Sequence, residues 1–223
     1  RMVRVMLTVL RKNPRLMECS RDSLLSCLVT SAQLGLSVDP FMGECYLIPF
    51  KNECTLIPGF RGLRKLAMNT GELAIFTAEI VYKNDEHTVE LGSEMVLKHK
   101  PNLTGDRGDF LFVYAIAKHK DGQNQFVVMT KDQINSIRDK SQGYKRAIRE
   151  GKDHPWITDW EEMAKKTAIR RLSKGLVLQS EKSEKFYEAV TVEDSQDFDI
   201  EIPSEKADPL SQISVAEVQK PQG

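Results

Sequence analysis

Most of the residue patterns that mark an enzyme are missing from this 223-residue chain. There is no G-x-x-x-x-G-K-[ST] run to cradle a nucleotide's phosphates, so strand exchange driven by ATP hydrolysis is disfavoured. There is no G-x-S-x-G elbow for a nucleophilic serine. A two-metal nuclease needs converging carboxylates, often with a lysine two residues beyond an acid on a strand. Lys118 and Lys120 are preceded at that offset by Ile116 and Lys118. The four cysteines, Cys19, Cys27, Cys45 and Cys54, form no CxxC pair and have no histidine cluster near them, so they read as reduced, mostly buried thiols. His87, His99, His119 and His154 are isolated and read as structural or surface residues rather than bases. No catalytic residue, metal or cofactor is expected. A signal peptide is absent, and no apolar run approaches the ~20 residues that cross a bilayer, which points to the cytoplasm and away from membranes. The chain opens at Arg1 rather than methionine, so a native segment before it is expected to be missing from this sequence.

Net charge is also missing, with 32 basic and 32 acidic residues, but the balance is deceptive. Residues 179–223 carry 11 acidic and 4 basic side chains, a net of −7, which leaves 28 basic and 21 acidic residues, a net of +7, in residues 1–178. A basic body suggests a polyanion partner. The acidic end, poor in apolar residues after Leu178, reads as a linker or tail, with a weak helical signal at residues 213–218. Two regions follow: a body over 1–178 and a tail over 179–223.

The most informative stretch is residues 156–175, WITDWEEMAKKTAIRRLSKG. Thr158 with Glu161 has the capping-box spacing of a helix start, and Gly175 reads as its stop. Trp160, Met163, Ala164, Thr167 and Ala168 recur at the three-and-four spacing of one helix face. Lys166, Arg170 and Lys174 follow at four-residue steps, forming a cationic stripe beside that face. Arg171 falls within the apolar sector, where it is expected to need a carboxylate or phosphate. Basic residues near a helix C-terminus also simply complement its dipole.

Along the rest of the chain, apolar spacing predicts a helix over residues 2–11, and a second from an Asp22 cap to about Gln33 with Gly35 as its stop. Two apolar runs, 44–50 and 53–58, separated by Lys51-Asn52, predict a β-hairpin in which Cys45 and Cys54 do not face each other. Pro58-Gly59-Phe60-Arg61-Gly62 leads into a short helix over 63–69, its two glycines suited to close backbone approach. Strands are expected over 75–82, 88–91, 95–99, 110–118 and 125–129, most simply as an antiparallel meander, with a mobile Gly/Asp/Asn loop over 101–109. Thr130 with Gln133 predicts another capped helix, to about Lys140. The expected class is α+β: a small antiparallel sheet with helices packed on one side, forming a basic groove.

Cations appear on several elements: Arg61, Arg64 and Lys65; Lys98 and Lys100; Lys118 and Lys120; Lys145, Arg146 and Arg149; Lys165, Lys166, Arg170, Arg171 and Lys174. Three or four such clusters in one groove would track a phosphate backbone. Phe60, Tyr82, Tyr144 and Trp156 are available to stack on bases or to anchor the turns they flank. Each cluster taken alone also fits a solvated helix face. A structural protein touching nucleic acid incidentally, or a metal-dependent nuclease, stand as the other readings of the same charges.

The motifs QLGL at 33–36, GECYLIPF at 43–50, LIPGFRGLRKLA at 56–67 and W-x-x-x-W-E-E-M-A-K-K-T-A-I-R-R-L at 156–172 resemble the phage RecT family of single-strand annealing proteins, in order over residues 2–178. Phe60 departs from the tyrosine expected in the family's G-Y-x-G motif, and Gly175-Leu176-Val177 from a proline-containing exit. The resemblance implies a protein that coats single-stranded DNA without ATP, brings a complementary strand alongside, and holds the nascent duplex in a helical homo-oligomer in the bacterial host cell. It also implies a phage exonuclease and the host single-strand-binding protein as partners, through the C-terminal tail. The DNA-contacting residues it suggests here are Phe60, Arg61, Arg64, Lys65, Lys98, Lys100, Lys118, Lys145, Arg149, Lys165, Lys166, Arg170, Arg171 and Lys174.

Overall fold

A computed structural model describes residues 2–194. Helix α1 (Met2–Lys12) ends before a 3-10 turn (Pro14–Glu18) and helix α2 (Arg21–Leu34). The cap of α2 is Ser20, whose hydroxyl accepts the Ser23 N–H at 3.3 Å, so Asp22 sits in the first turn and serves the helix dipole instead. Gly35 stops the helix at φ 71°, the left-handed conformation that glycine adopts without penalty.

Strands β1 (Cys45–Phe50) and β2 (Glu53–Pro58) pair antiparallel around Lys51-Asn52. Cys45 faces Pro58 and Cys54 faces Pro49, so no disulfide bridges the hairpin. All four cysteines are buried and free. Helix α3 (Phe60–Asn69) begins three residues before the predicted start, because the Gly59 N–H donates to Glu44 O at 2.9 Å and locks the entry.

Strands β3 (Leu73–Tyr82), β6 (Phe110–His119) and β7 (Asn124–Thr130) form one antiparallel sheet in the order β3-β6-β7. The expected five-stranded meander is not what forms. Strands β4 (Glu86–Glu90) and β5 (Val96–Lys100) pair only with each other and leave the sheet as a separate hairpin between β3 and β6. Phe76, Ala78, Ile80, Val113, Ala115, Ala117 and Met129 alternate onto one face of the sheet, which is the main core.

Helix α4 (Lys131–Arg138) starts with the predicted capping box, both the Thr130 and Gln133 bonds being made. Helices α5 (Gln142–Glu150) and α6 (Pro155–Thr158) lead into α7 (Trp160–Gly175), which packs across β3, β6 and β7. The α+β class, with helices on one face of a small antiparallel sheet, is therefore what the chain adopts.

The body does not end at Leu178. A 3-10 turn (Glu181–Ser183) and α8 (Glu184–Asp194) continue it, with Phe186 and Ala189 fully buried and Phe186 edge-on to Phe76 at 6.3 Å. The low apolar density after residue 178 concealed this, because one helical turn of Phe186, Ala189 and Val190 is enough to fill a gap over α3 and β2. The predicted helix at 213–218 and the acidic run from Asp197 onward lie outside the described residues.

A polybasic helical surface

The predicted helix forms over Trp160–Gly175, its cap one residue later than expected. Asp159, at φ −137° and ψ 48°, separates α6 from α7, and the capping box expected at Thr158 does not form. The Thr158 hydroxyl donates to Asp159 at 2.5 Å. Within α7 the buried set is Ala164, Thr167, Ala168, Ile169, Leu172 and Ser173, a wider arc than the predicted stripe. Arg171 is exposed, which corrects its expected place in the apolar sector. An exposed guanidinium carries no desolvation cost, so the buried acidic partner it seemed to require is unnecessary. Lys166 and Arg170 are half-buried along the flank of α7 and Lys174 is exposed in its last turn.

Helix α3, which carries Arg61 and Arg64, packs against α7, which carries Lys166, Arg170, Arg171 and Lys174. Arg64 is exposed and Arg61 half-exposed. Lys65, on the same helix, belongs to a different arrangement. Its ammonium donates to Glu44 Oε2 at 2.8 Å, Glu44 Oε1 at 3.0 Å and the Gly35 carbonyl at 2.9 Å, tying the end of α2 to α3. The glycine predicted to permit close approach is Gly62, and what approaches is the chain itself: a Cβ there would lie 2.0 Å from Glu44 O.

The remaining predicted residues scatter. Lys145 and Arg149 are exposed on α5, and Lys118 is exposed on β6 opposite Asn124. Lys98 and Lys100 lie exposed on the β4–β5 hairpin, Lys100 in a surface pair with Glu86 at 3.3 Å. Lys165 is paired with Glu162 one turn earlier. The four aromatics are all engaged within the fold. Trp156 is buried, Phe60 packs on the core, Tyr82 lies under Arg107 at 4.3 Å, and Tyr144 lies under Arg138 at 5.1 Å.

One ionic cluster escaped the sequence reading. Asp85 has a fully buried side chain at the base of the β4–β5 hairpin. It accepts from Arg107 Nε at 3.0 Å and Nη2 at 2.6 Å, from the Tyr82 N–H at 3.0 Å and from the Asn102 N–H at 2.9 Å. His99 Nε2 lies 3.1 Å from the same carboxylate and His99 Nδ1 3.2 Å from the Tyr114 hydroxyl. The Arg107 guanidinium above all holds the Asp85 carboxyl well below the usual carboxylate range. Burial and a hydrogen bond to Glu161 push the Tyr82 hydroxyl up to about 12. The loop 101–109, expected to be mobile, is held down by these bonds and by Asn84 Nδ2 donating to Asp106 O at 3.0 Å. Asn84-Asp85 read as a turn, and nothing in spacing linked it to an arginine 22 residues away.

Among the described residues no His, Cys, Asp and Glu cluster has the makings of a metal site, and no helix is long and apolar enough to cross a membrane. The molecule is thus an α+β protein whose cations are displayed on helices α3, α5 and α7. A family model described as RecT family matches residues 1–207. Protein RecT of Escherichia coli (strain K12) is 40% identical over 184 residues, covering 79% of this chain and 65% of the relative. The chain belongs to the RecT family, and it spans about two-thirds of the length of that curated relative.

Proposed function

We propose that the protein binds single-stranded DNA and promotes the pairing of complementary strands in phage homologous recombination, without ATP, as an oligomer that continues one cationic track from subunit to subunit. The observation that carries this is the packing of α3 on α7, which groups Arg61 and Arg64 with the helix bearing Lys166, Arg170, Arg171 and Lys174. Annealing needs phosphate contacts that leave base edges free to pair, and arginine and lysine supply them. Lys118 on β6, Lys145 and Arg149 on α5, and Lys98 on the hairpin are exposed and offer separate phosphate contacts outside that pair of helices. Lys65 ties α3 to Glu44 and the Gly35 carbonyl and is left out of the track, Lys100 and Lys165 form surface pairs with Glu86 and Glu162, and Phe60 serves the core.

Partner proteins, a phage exonuclease and the host single-strand-binding protein, are assigned to the chain beyond α8. The test is annealing of two complementary oligonucleotides without ATP, together with binding across a salt series. Lys166→Ala with Arg170→Ala lowers the slope of log affinity on log salt by about one unit per lost phosphate contact. An unchanged slope removes both residues from the track, and wild-type protein that leaves the annealing rate unchanged removes the function.

A further inference from the structure

The aromatic side chain that the fold leaves in solvent is not one of those singled out by the sequence. Phe60, Tyr82, Tyr144 and Trp156 are engaged within the body. Phe41 is 83% exposed, whereas the next described phenylalanine, tyrosine or tryptophan, Tyr187, is only 37% exposed. A phenylalanine this bare forgoes the stabilisation that burying its ring brings, and it has no polar atom to satisfy in water. Its backbone, in contrast, is held. Pro40 fills the second position of a turn in which the Met42 N–H donates to the Asp39 carbonyl at 2.9 Å. The Phe41 N–H donates to Asp39 Oδ1 at 3.0 Å, and Gly43 carries the chain out of the turn at φ 64°. A ring on so fixed a turn loses little backbone freedom when something docks on it.

The turn is fastened to the cationic end of α3. Phe41 lies three residues before Glu44, within about 10 Å of it even along an extended backbone. Glu44 O accepts the Gly59 N–H at 2.9 Å, and a Cβ at Gly62 would stand 2.0 Å from that oxygen, so no side chain separates this segment from the first turn of α3. That helix turn carries Arg61, half-exposed, and one turn on along the same side is Arg64, exposed. An aromatic ring next to phosphate-binding charges is the pair of parts that a site for single-stranded nucleic acid combines. Phe41 with Met42, 47% exposed, is an apolar knob of two side chains, far short of the roughly 800 Å² per partner in a stable protein interface, but one ring is enough for one base. A phenylalanine grips only the face of a base, so the Watson–Crick edge stays free for the complementary strand. We propose that Phe41 is a stacking platform for a base of single-stranded DNA whose adjoining phosphates are held by Arg61 and Arg64. The assignment rests on the DNA-binding function proposed for the protein and adds to it a contact that is apolar, insensitive to salt and indifferent to base identity.

The test compares the full chain on two oligonucleotides of equal length, one bearing bases and one abasic throughout. Phe41→Ala should weaken binding of the base-bearing strand roughly tenfold, the effect of losing one stacked base. It should bind the abasic strand as wild type does and keep the wild-type slope of log affinity on log salt, because no phosphate contact is lost. Phe41→Trp should restore the preference for the base-bearing strand, and the melting temperature should stay at the wild-type value in both variants. Wild-type affinity of Phe41→Ala for both strands overturns the platform and leaves the DNA-binding function standing. The same result accompanied by smaller oligomers also overturns it and makes the turn a contact between copies. An equal loss on both strands overturns it too, since the ring then acts through assembly rather than through a base. Wild-type protein that binds neither strand removes the DNA-binding function itself, and the platform with it.

Discussion

At the base of the β4–β5 hairpin, Arg107 meets a buried carboxylate that also accepts from two backbone N–H groups and lies beside His99, whereas Arg64 and Arg171 lie exposed on α3 and α7 with no carboxylate beside them among the described residues. The same side-chain type is used in opposite ways. In the first region the charge is cancelled inside the fold, and its value is architectural: it fastens the hairpin and the loop 101–109 to the sheet. In the second the charge is left to the solvent, where it contributes little to stability and remains available to a polyanion. Lys65 shows that position on a basic helix does not decide which use applies, since it sits one residue from Arg64 and is committed to Glu44.

The contrast is sharpest at Asp85. Asp85→Ala removes the acceptor of four donors and leaves Arg107 uncompensated, which should cost about 3 kcal/mol, the low end of the range for breaking a buried pair because the guanidinium is partly exposed. Urea unfolding measures it, and a loss under 1 kcal/mol would mean that the cluster does not hold the hairpin. Its pH dependence has a definite sign. The folded carboxyl has a depressed pKa, so its stabilisation is complete above the unfolded carboxyl's value of about 4 and is lost as pH falls below that. Wild type should therefore lose more stability than Asp85→Asn on acidification from pH 5 to pH 2, two working values on either side of that point.

Gly62→Ala comes next in size. Alanine favours a helix over glycine by about 1 kcal/mol. The new Cβ, 2.0 Å from a backbone carbonyl, forces α3 away from Glu44, which at about 1–3 kcal/mol outweighs that gain. A lower melting temperature is expected, and an unchanged or higher one would show that α3 shifts freely. Lys65→Met should be milder, about 1 kcal/mol, because the lysine is 40% exposed and the pair is screened. Its sharper readout is DNA affinity, which should not change, whereas Arg64→Met should weaken binding at similar stability. If Lys65→Met weakens binding as much as Arg64→Met does, the line drawn between fastening and DNA-facing cations on α3 is wrong.

Much of this architecture was legible because it rests on local signals. The Thr130–Gln133 capping box, the Gly35 stop and the Lys51-Asn52 hairpin were each specified by a few adjacent residues, and each forms. What escaped depends on distant partners. Spacing on a helical wheel put Arg171 inward because it assumed one straight burial arc, and the sheet buries a wider one that includes Ile169. Thr158 and Glu161 had the spacing of a cap, but Pro155 started a separate turn before it and the break moved to Asp159. Lys65 was indistinguishable from Arg64 until Glu44, 21 residues earlier, was brought under it.

The docking of α8 also sets a clock. Glu72 accepts the N–H groups of Gln179 at 2.9 Å and Ser180 at 2.6 Å across more than a hundred residues, and Phe186 completes the packing around Phe76. Contacts this distant in sequence close late in folding. During synthesis, at roughly 5–20 residues per second, the sheet core exists for several seconds before its last wall has been made. Over that interval Phe76 and the surfaces of α3 and β2 are open, a window in which nascent chains are exposed to association with one another.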